Sequence, residues 1–393
     1  MKNSKGKYLL LMQPEEKFPP MLNTQRFTLI EIILLCKKMD RILVLPPILS
    51  QPRNNTIAES GETDHHKFVL GEIFIPMEEI FNIEILRKYI NVIKFSEFIK
   101  ISRGNISTLC CLGKPHSRKI KSYAQEFHCK KILNTKKFED IVNLDEPFVA
   151  ITGYEPGKYL IKSFPTWPRE FRKDYWEITR HLQYNKRLIH KADNFIRKNG
   201  LKSYVAVHWR RGDRAHPEVS ELAEQVVHER TEMKKRLDSF LIHPILKIMK
   251  KYQLEKVFLA TNSGTKWHLE YLRSRLPLVQ YPPSGKLENR EEESIIEQII
   301  CIKSDYFFAA PFHYDQCSNF SRWIIDLRIL TGKKRRNSHQ LKMHSSMLFA
   351  RISLLKNKFL SIIKSFAKNI SPSLTSKLQN SLGPIHAWLK LKF

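Results

Sequence analysis

Tyr204-Val205-Ala206-Val207-His208-Trp209-Arg210-Arg211-Gly212-Asp213 is the stretch on which the reading of this chain turns. A short apolar run stops at a His, two Arg, a Gly and an Asp, the pattern of a buried strand whose carboxyl end opens onto a ligand crevice. Adjacent arginines suit a core poorly and a diphosphate well, because the guanidinium fork matches phosphate oxygens and stays charged. The competing reading is a structural ion pair of Arg210 or Arg211 with Asp213.

Downstream the pattern is regular. It predicts a helix over about 219–251, a strand over 257–261, a helix over about 265–275, a strand over 278–281, a helix over 291–304, a strand over 306–309 and a helix over 318–329. Such alternation specifies an α/β fold with a parallel sheet and helices on both faces. Upstream, residues 8–12 read as a strand and 24–39 as a helix with Phe27, Ile30, Ile33 and Leu34 on one side. Residues 42–45 read as the next strand, closed by Pro46 and Pro47, which makes a β-α-β opening. Residues 51–145 read as irregular, with a return strand near 148–152, and the aromatic, helix-forming stretch 167–199 is a candidate bridge between domains. The expected architecture is two facing Rossmann-type halves, 1–175 and 176–330, with a cleft between them and a tail over 331–393.

The length of 393 residues exceeds one ordinary core. Net charge is +28, and thirteen Lys or Arg with no Asp or Glu lie in 331–393, so the tail is electrostatically separate from a moderately basic body. In the tail, Leu348, Ile352, Leu355, Phe359, Ile362, Phe366 and Ile370 recur by threes and fours with Arg351, Lys356, Lys358, Lys364 and Lys368 off the stripe. That pattern suits an amphipathic helix on an anionic membrane surface, and equally one packed on the body or in a coiled coil. Few interleaved aromatics and no recognised module argue against nucleic acid as a partner. Six scattered cysteines without CxxC spacing indicate neither a zinc site nor a disulfide framework. The apolar run 8–12 is too short for a signal peptide and no stretch spans a bilayer, so the default expectation is a cytoplasmic or peripheral membrane protein.

Two further strand ends carry polar groups. In Leu259-Ala260-Thr261-Asn262-Ser263-Gly264, Asn262 is placed to read a base or ribose edge, although Ser263 alone fits ordinary helix capping. In Cys317-Ser318-Asn319-Phe320-Ser321-Arg322, several hydroxyl and amide groups open a helix, more than capping requires. There is no D-x-D pair, zinc motif or Walker loop. A departing diphosphate therefore calls for a protein cation, and Arg210 is the candidate.

Taken in order, these elements resemble the GDP-fucose protein O-fucosyltransferase superfamily over most of residues 7–330. His208-Trp209-Arg210-Arg211-Gly212-Asp213 is similar to its H-x-R-R-G-D pattern, Ala260-Thr261-Asn262 to its ATD-like strand end with Asn for Asp, and Ser318-Asn319-Phe320-Ser321 to its S-x-F-S segment. Asn23-Thr24-Gln25-Arg26 and Val44-Leu45-Pro46-Pro47 resemble its N-terminal element. The resemblance implies a GT-B fold, GDP-fucose as donor, a protein or glycan hydroxyl as acceptor, inversion at the anomeric carbon, and no metal or other cofactor. It implies that Arg210 holds the β-phosphate and glycosidic oxygen, that Asp213 supports it, and that His208, Arg211, Thr261, Asn262, Ser318, Asn319, Phe320 and Ser321 belong to the donor pocket with Asn23, Thr24, Gln25 and Arg26. The chain departs from the family in having Pro19-Pro20-Met21-Leu22 where a Gly-rich approach is usual, and Glu15 and Glu16 several residues before the family's acid; Glu16 is the candidate general base. The alternatives are an α1,2- or α1,6-type glycan fucosyltransferase and a non-catalytic, membrane-docked protein that binds a GDP-sugar.

Overall fold

The computed structural model describes residues 6–11, 22–46, 48–50, 73–112, 124–125, 127–135, 139–152, 169–209, 231, 234–235, 237–261, 266–283, 290–309, 318–333 and 338–340. The chain divides into two units, 1–341 and 342–393, and the second lies outside the described residues.

In the amino-terminal half, β1 (Tyr8–Leu11), α1 (Leu22–Met39), β2 (Ile42–Val44), β3 (Ile48–Ser50) and β4 (Ile73–Ile75) are followed by α2 (Met77–Ile80), α3 (Ile83–Arg87), β5 (Val92–Ile93) and α4 (Phe95–Ser102). Then come β6 (Thr108–Leu112), β7 (Lys131–Thr135), α5 (Glu139–Val142) and β8 (Phe148–Thr152). The main sheet runs β5-β2-β1-β8-β6-β7 with its strands parallel, and β3 and β4 form a separate antiparallel pair. Two helices follow, α6 (Arg169–His181) and α7 (Lys186–Lys198). The second half holds β9 (Tyr204–Trp209), a π-helical turn over Asp238–Ile242, α8 (His243–Tyr252), β10 (Lys256–Thr261) and α9 (Lys266–Arg275). It ends with β11 (Leu278–Val279), α10 (Arg290–Lys303), β12 (Tyr306–Ala309), α11 (Asn319–Leu330) and β13 (Ser338–Gln340). Its sheet is parallel throughout, in the order β11-β10-β9-β12-β13.

The β-α-β opening and the strand–helix alternation after residue 204 match the sequence pattern. Residues 51–145 do not: this stretch contains β4 to β7 and α2 to α5. These elements are two to eight residues long, too short to display a helical period, and the strand Thr-Leu-Cys-Cys-Leu is apolar on both faces, so it shows no alternation. The helix expected over 219–251 is described from the π turn at 238 onward, and the strand expected over 278–281 has two residues.

Helix α1 was expected to bury one side and is instead buried almost all round, with Phe27, Leu29, Ile32, Ile33 and Cys36 each nearly inaccessible. It ends where Asp40 takes a left-handed conformation at φ 50° and the Arg41 N–H donates to Cys36 O at 2.9 Å, an arrangement that satisfies an otherwise orphaned carbonyl. Lys37 and Lys38 in its last turn oppose the negative helix end.

One continuous core joins the two sheets. It takes Leu9, Leu43 and Val149 from the first, Ala206, Phe258 and Phe307 from the second, and Ile33, Ile178, Leu188, Ile299 and Trp323 from the intervening helices. The 167–199 stretch does span the halves: Tyr175 OH on α6 donates to Asp326 on α11 at 2.6 Å, and α6 also packs on α1. The expected boundary at 175/176 falls within α6. Each sheet is pinned by a buried arginine whose guanidinium donates to backbone carbonyls. Arg41 donates to the carbonyls of Tyr8, Leu144 and Glu146 beside β1 and β8. Arg328 donates to the carbonyls of Cys301, Ile302, Ser304 and Asp305, holding the end of α11 against the α10–β12 turn. Because one guanidinium donates to several carbonyls at once, these contacts fix where the strands begin. The described cysteines are free thiols. No helix among the described residues is long and apolar enough to cross a membrane.

Candidate functional site

The site is built where β9, β10 and β12 end together. His208 is in register with Ala260 on one side and Ala309 on the other, and Thr261 with Trp209. Thr261 Oγ1 donates to Trp209 O, tying the last residues of β9 and β10. Since side chains alternate along a strand, His208 shares the face of Tyr204 and Ala206, which looks onto the helical core, and Trp209 turns the other way onto His268 of α9.

The imidazole of His208 is buried against the first turn of α11. Its Nδ1 lies 2.7 Å from Ser321 Oγ and 3.4 Å from Ser318 Oγ, and its ring stacks on Phe320 at 4.2 Å between centroids and 24° between planes. Ser318 is the N-cap: its Oγ accepts from the Ser321 N–H at 3.2 Å. Sequence motifs 110 residues apart thus form one cluster. A positive helix end, two hydroxyls, an imidazole and a flat aromatic face can together take a phosphate or an aromatic base.

Helix α1 packs on α11, the helix that carries these serines and Phe320. Phe27 meets Trp323 edge to face at 6.3 Å, and the Arg322 guanidinium lies 5.5 Å from the Phe27 ring centre. Arg26 enters the interior completely, 4.3 Å from the Trp323 ring centre and 5.4 Å from that of Tyr184, with Phe81 stacked on Tyr184 beyond. Burial lowers its pKa, and Tyr184 opposes that shift. Arg26 Nη2 donates to Gln298 Oε1 at 3.0 Å, Tyr184 OH donates to the same oxygen, and Gln298 Nε2 donates to Asn23 Oδ1 at 2.6 Å.

Of the residues singled out in the sequence, His208, Ser318, Phe320 and Ser321 are in mutual contact, with Asn319 at the start of the same helix and Thr261 at the neighbouring strand end. Asn23, Gln25 and Arg26 lie in the first turn of α1, all buried. Glu16, Arg210, Arg211, Asp213 and Asn262, and the side chain of Thr24, lie outside the described residues. Asp326 and Arg328 are used internally, the first accepting from Tyr175 and the second pinning α11. Sequence reading missed Gln298 and Tyr184 of the Arg26 network, and it missed Glu297, the neighbour of Gln298 on α10, which faces Glu293 and Tyr281. Glu297 is half-buried and its carboxyl is pushed up to about 8 by desolvation, with Glu293 one turn away adding to the shift. Among the described residues no group of three or more His, Cys, Asp or Glu is placed to hold a metal ion.

Two parallel α/β sheets with flanking helices define a GT-B-like fold. The model of GDP-fucose protein O-fucosyltransferase matches residues 21–329, so the chain belongs to that family of fucosyltransferases. Among solved structures it is similar to POFUT1 in complex with GDP, with a TM-score of 0.56 at 15% identity over 86% of this chain and 99% of that one. POFUT1 in complex with GDP-fucose gives 0.53 at 16% over 86% and 98%. The fucosyltransferase NodZ from Bradyrhizobium gives 0.43 at 12% over 82% and 92%. No curated protein matches the sequence.

Proposed function

We propose that this protein transfers fucose from GDP-fucose to a hydroxyl of a protein Ser or Thr or of a glycan, with inversion and without a metal ion. The observation that carries the reading is the His208–Ser318–Phe320–Ser321 cluster at the carboxyl end of β9 and the start of α11. POFUT1, a neighbour in fold, has been crystallised with GDP and with GDP-fucose, which supports this choice of donor.

In this mechanism the acceptor oxygen attacks the anomeric carbon of fucose from the face opposite the nucleotide. The new C–O bond forms as the bond from that carbon to the β-phosphate oxygen breaks, the acceptor proton passes to a base, and GDP leaves with the bonding pair. Charge gathers on the β-phosphate, where a preorganised cation is most effective. Arg210, the residue after the last of β9 in the sequence, supplies it, with Asp213 holding Arg210 and Arg211 adding positive potential. His208 and the start of α11, with Asn319, receive the nucleotide, while Thr261 at the end of β10 borders it and Asn262, next in the sequence, is a further candidate contact. Asn23, Thr24, Gln25 and Arg26 at the start of α1 belong to the donor pocket, with Arg26 as its buried anchor, and on the acceptor side Glu16 is the candidate base.

GDP-fucose hydrolysis or transfer assayed in EDTA tests the reading. The expected result is turnover that persists with chelator and falls by roughly a hundred-fold or more in Arg210→Ala. Turnover unchanged in Arg210→Ala, or tight GDP binding with no turnover on protein or glycan acceptors, contradicts it.

A further inference from the structure

The buried amide of Gln298 is wired so that only one orientation of its neighbour Asn23 is satisfied. Gln298 Oε1 faces two donors, the Arg26 guanidinium at 3.0 Å and the Tyr184 hydroxyl. An amide nitrogen in that position has no lone pair to accept either, so the oxygen must lie there and Nε2 must point to Asn23. Asn23 then has to present Oδ1 to Gln298, at 2.6 Å, and its Nδ2 is left facing the other way. Among the described residues no acceptor meets that Nδ2. Asn23 is itself 8% exposed, in the first turn of α1, the helix whose next turn packs on α11 through Phe27 against Trp323 and Arg322. Gln298 by contrast is fully enclosed, on a different half of the chain from Asn23.

We infer that Gln298 is a positioning residue for the donor sugar-nucleotide, holding Asn23 with its N–H₂ turned outward to donate to an oxygen of GDP-fucose. The inference rests on the fucosyltransferase reading and deepens it. The chain of bonds runs from Tyr184 and Arg26 through Gln298 to Asn23, so the orientation of one side chain at the site is set by residues that never touch the ligand. These links are stiff because they are buried, and breaking one leaves a buried group without its partner.

Two substitutions separate orientation from mere stability. Gln298→Glu keeps the shape and keeps both acceptor bonds to Arg26 and Tyr184, and gives Arg26 a counter-charge, but it cannot donate to Asn23. Asn23 then turns its Nδ2 inward and its carbonyl oxygen outward. Asn23→Asp leaves the Gln298 bond in place and puts a carboxylate oxygen outward instead of N–H₂. Both variants are expected to unfold within about 4 °C of the wild type. Both are expected to bind GDP-fucose, by calorimetric titration, roughly ten-fold or more weakly, with the loss in KM for the donor exceeding the loss in kcat for its hydrolysis. A folded Gln298→Glu with wild-type affinity overturns the positioning role. Should that variant not fold, wild-type affinity in Asn23→Asp overturns it equally, because the outward group then does not matter. Wild-type protein that binds no GDP-fucose overturns the fucosyltransferase reading and the role of Gln298 with it.

Discussion

At the scale of single residues, the site divides into groups whose type reveals their task and groups whose task depends on what they face. His208 beside Trp209-Arg210-Arg211 and the Ser-Asn-Phe-Ser opening of α11 stand out in the sequence as candidate ligand contacts, because a polar cluster directly after an apolar strand has no evident packing task. Gln298, one polar residue inside an amphipathic helix, was not: at helical spacing a Gln reads as solvent-facing, and only the fold brings Tyr184, Arg26 and Asn23 around it. Glu297 has the same history and a measurable consequence. Its folded pKa of about 8 stands above the ordinary 4.5, with Glu293 and Tyr281 among the groups facing it. Below pH 4.5 both folded and unfolded states hold the proton and no penalty arises. Between 4.5 and 8 the unfolded chain ionises while the folded one resists, so stability falls as pH rises and levels off above 8. A fall in melting temperature from pH 5 to pH 8 that is flattened by Glu297→Gln is the expected result; parallel profiles for the two proteins contradict the assignment.

At the scale of elements, the positions of α11 and α1 determine whether the cluster exists at all. Trp323 fills the space between them, meeting Phe27 and covering Arg26, and is wholly inaccessible. Trp323→Ala is expected to cost about 3–5 kcal/mol, read from urea unfolding. Arg328→Met keeps the bulk and strands the carbonyls of Cys301, Ile302, Ser304 and Asp305, and is expected to cost about 3 kcal/mol or more; an unchanged midpoint would mean that water replaces the guanidinium without loss. The long alternating segments after Tyr204 could be read in advance because each strand and helix extends far enough to show its period. The run from β4 to α5 could not, since its elements last only two to eight residues and owe their form to pairing partners distant in sequence, as Thr108–Leu112 does to Phe148–Thr152.

At the scale of the whole molecule, the two parallel sheets and the core that passes between them through α1, α6, α7, α10 and α11 place motifs from both ends of the chain at one site. The basic stretch 331–393 adds a separate expectation. Its uninterrupted positive charge suits an anionic lipid surface, so the full chain is expected to sediment with phosphatidylserine vesicles at low salt and to lose that binding when 342–393 are removed, with GDP affinity held within about two-fold. Vesicle binding that survives the truncation assigns it to the body instead. The central claim is that the cluster around His208 receives the nucleotide of GDP-fucose, and calorimetric titration of the full protein with GDP and with UDP tests it most directly. The account predicts that GDP binds with EDTA present, at least roughly ten-fold more tightly than UDP, and that His208→Ala weakens it. A preference for UDP, or GDP affinity indifferent to His208→Ala, contradicts it.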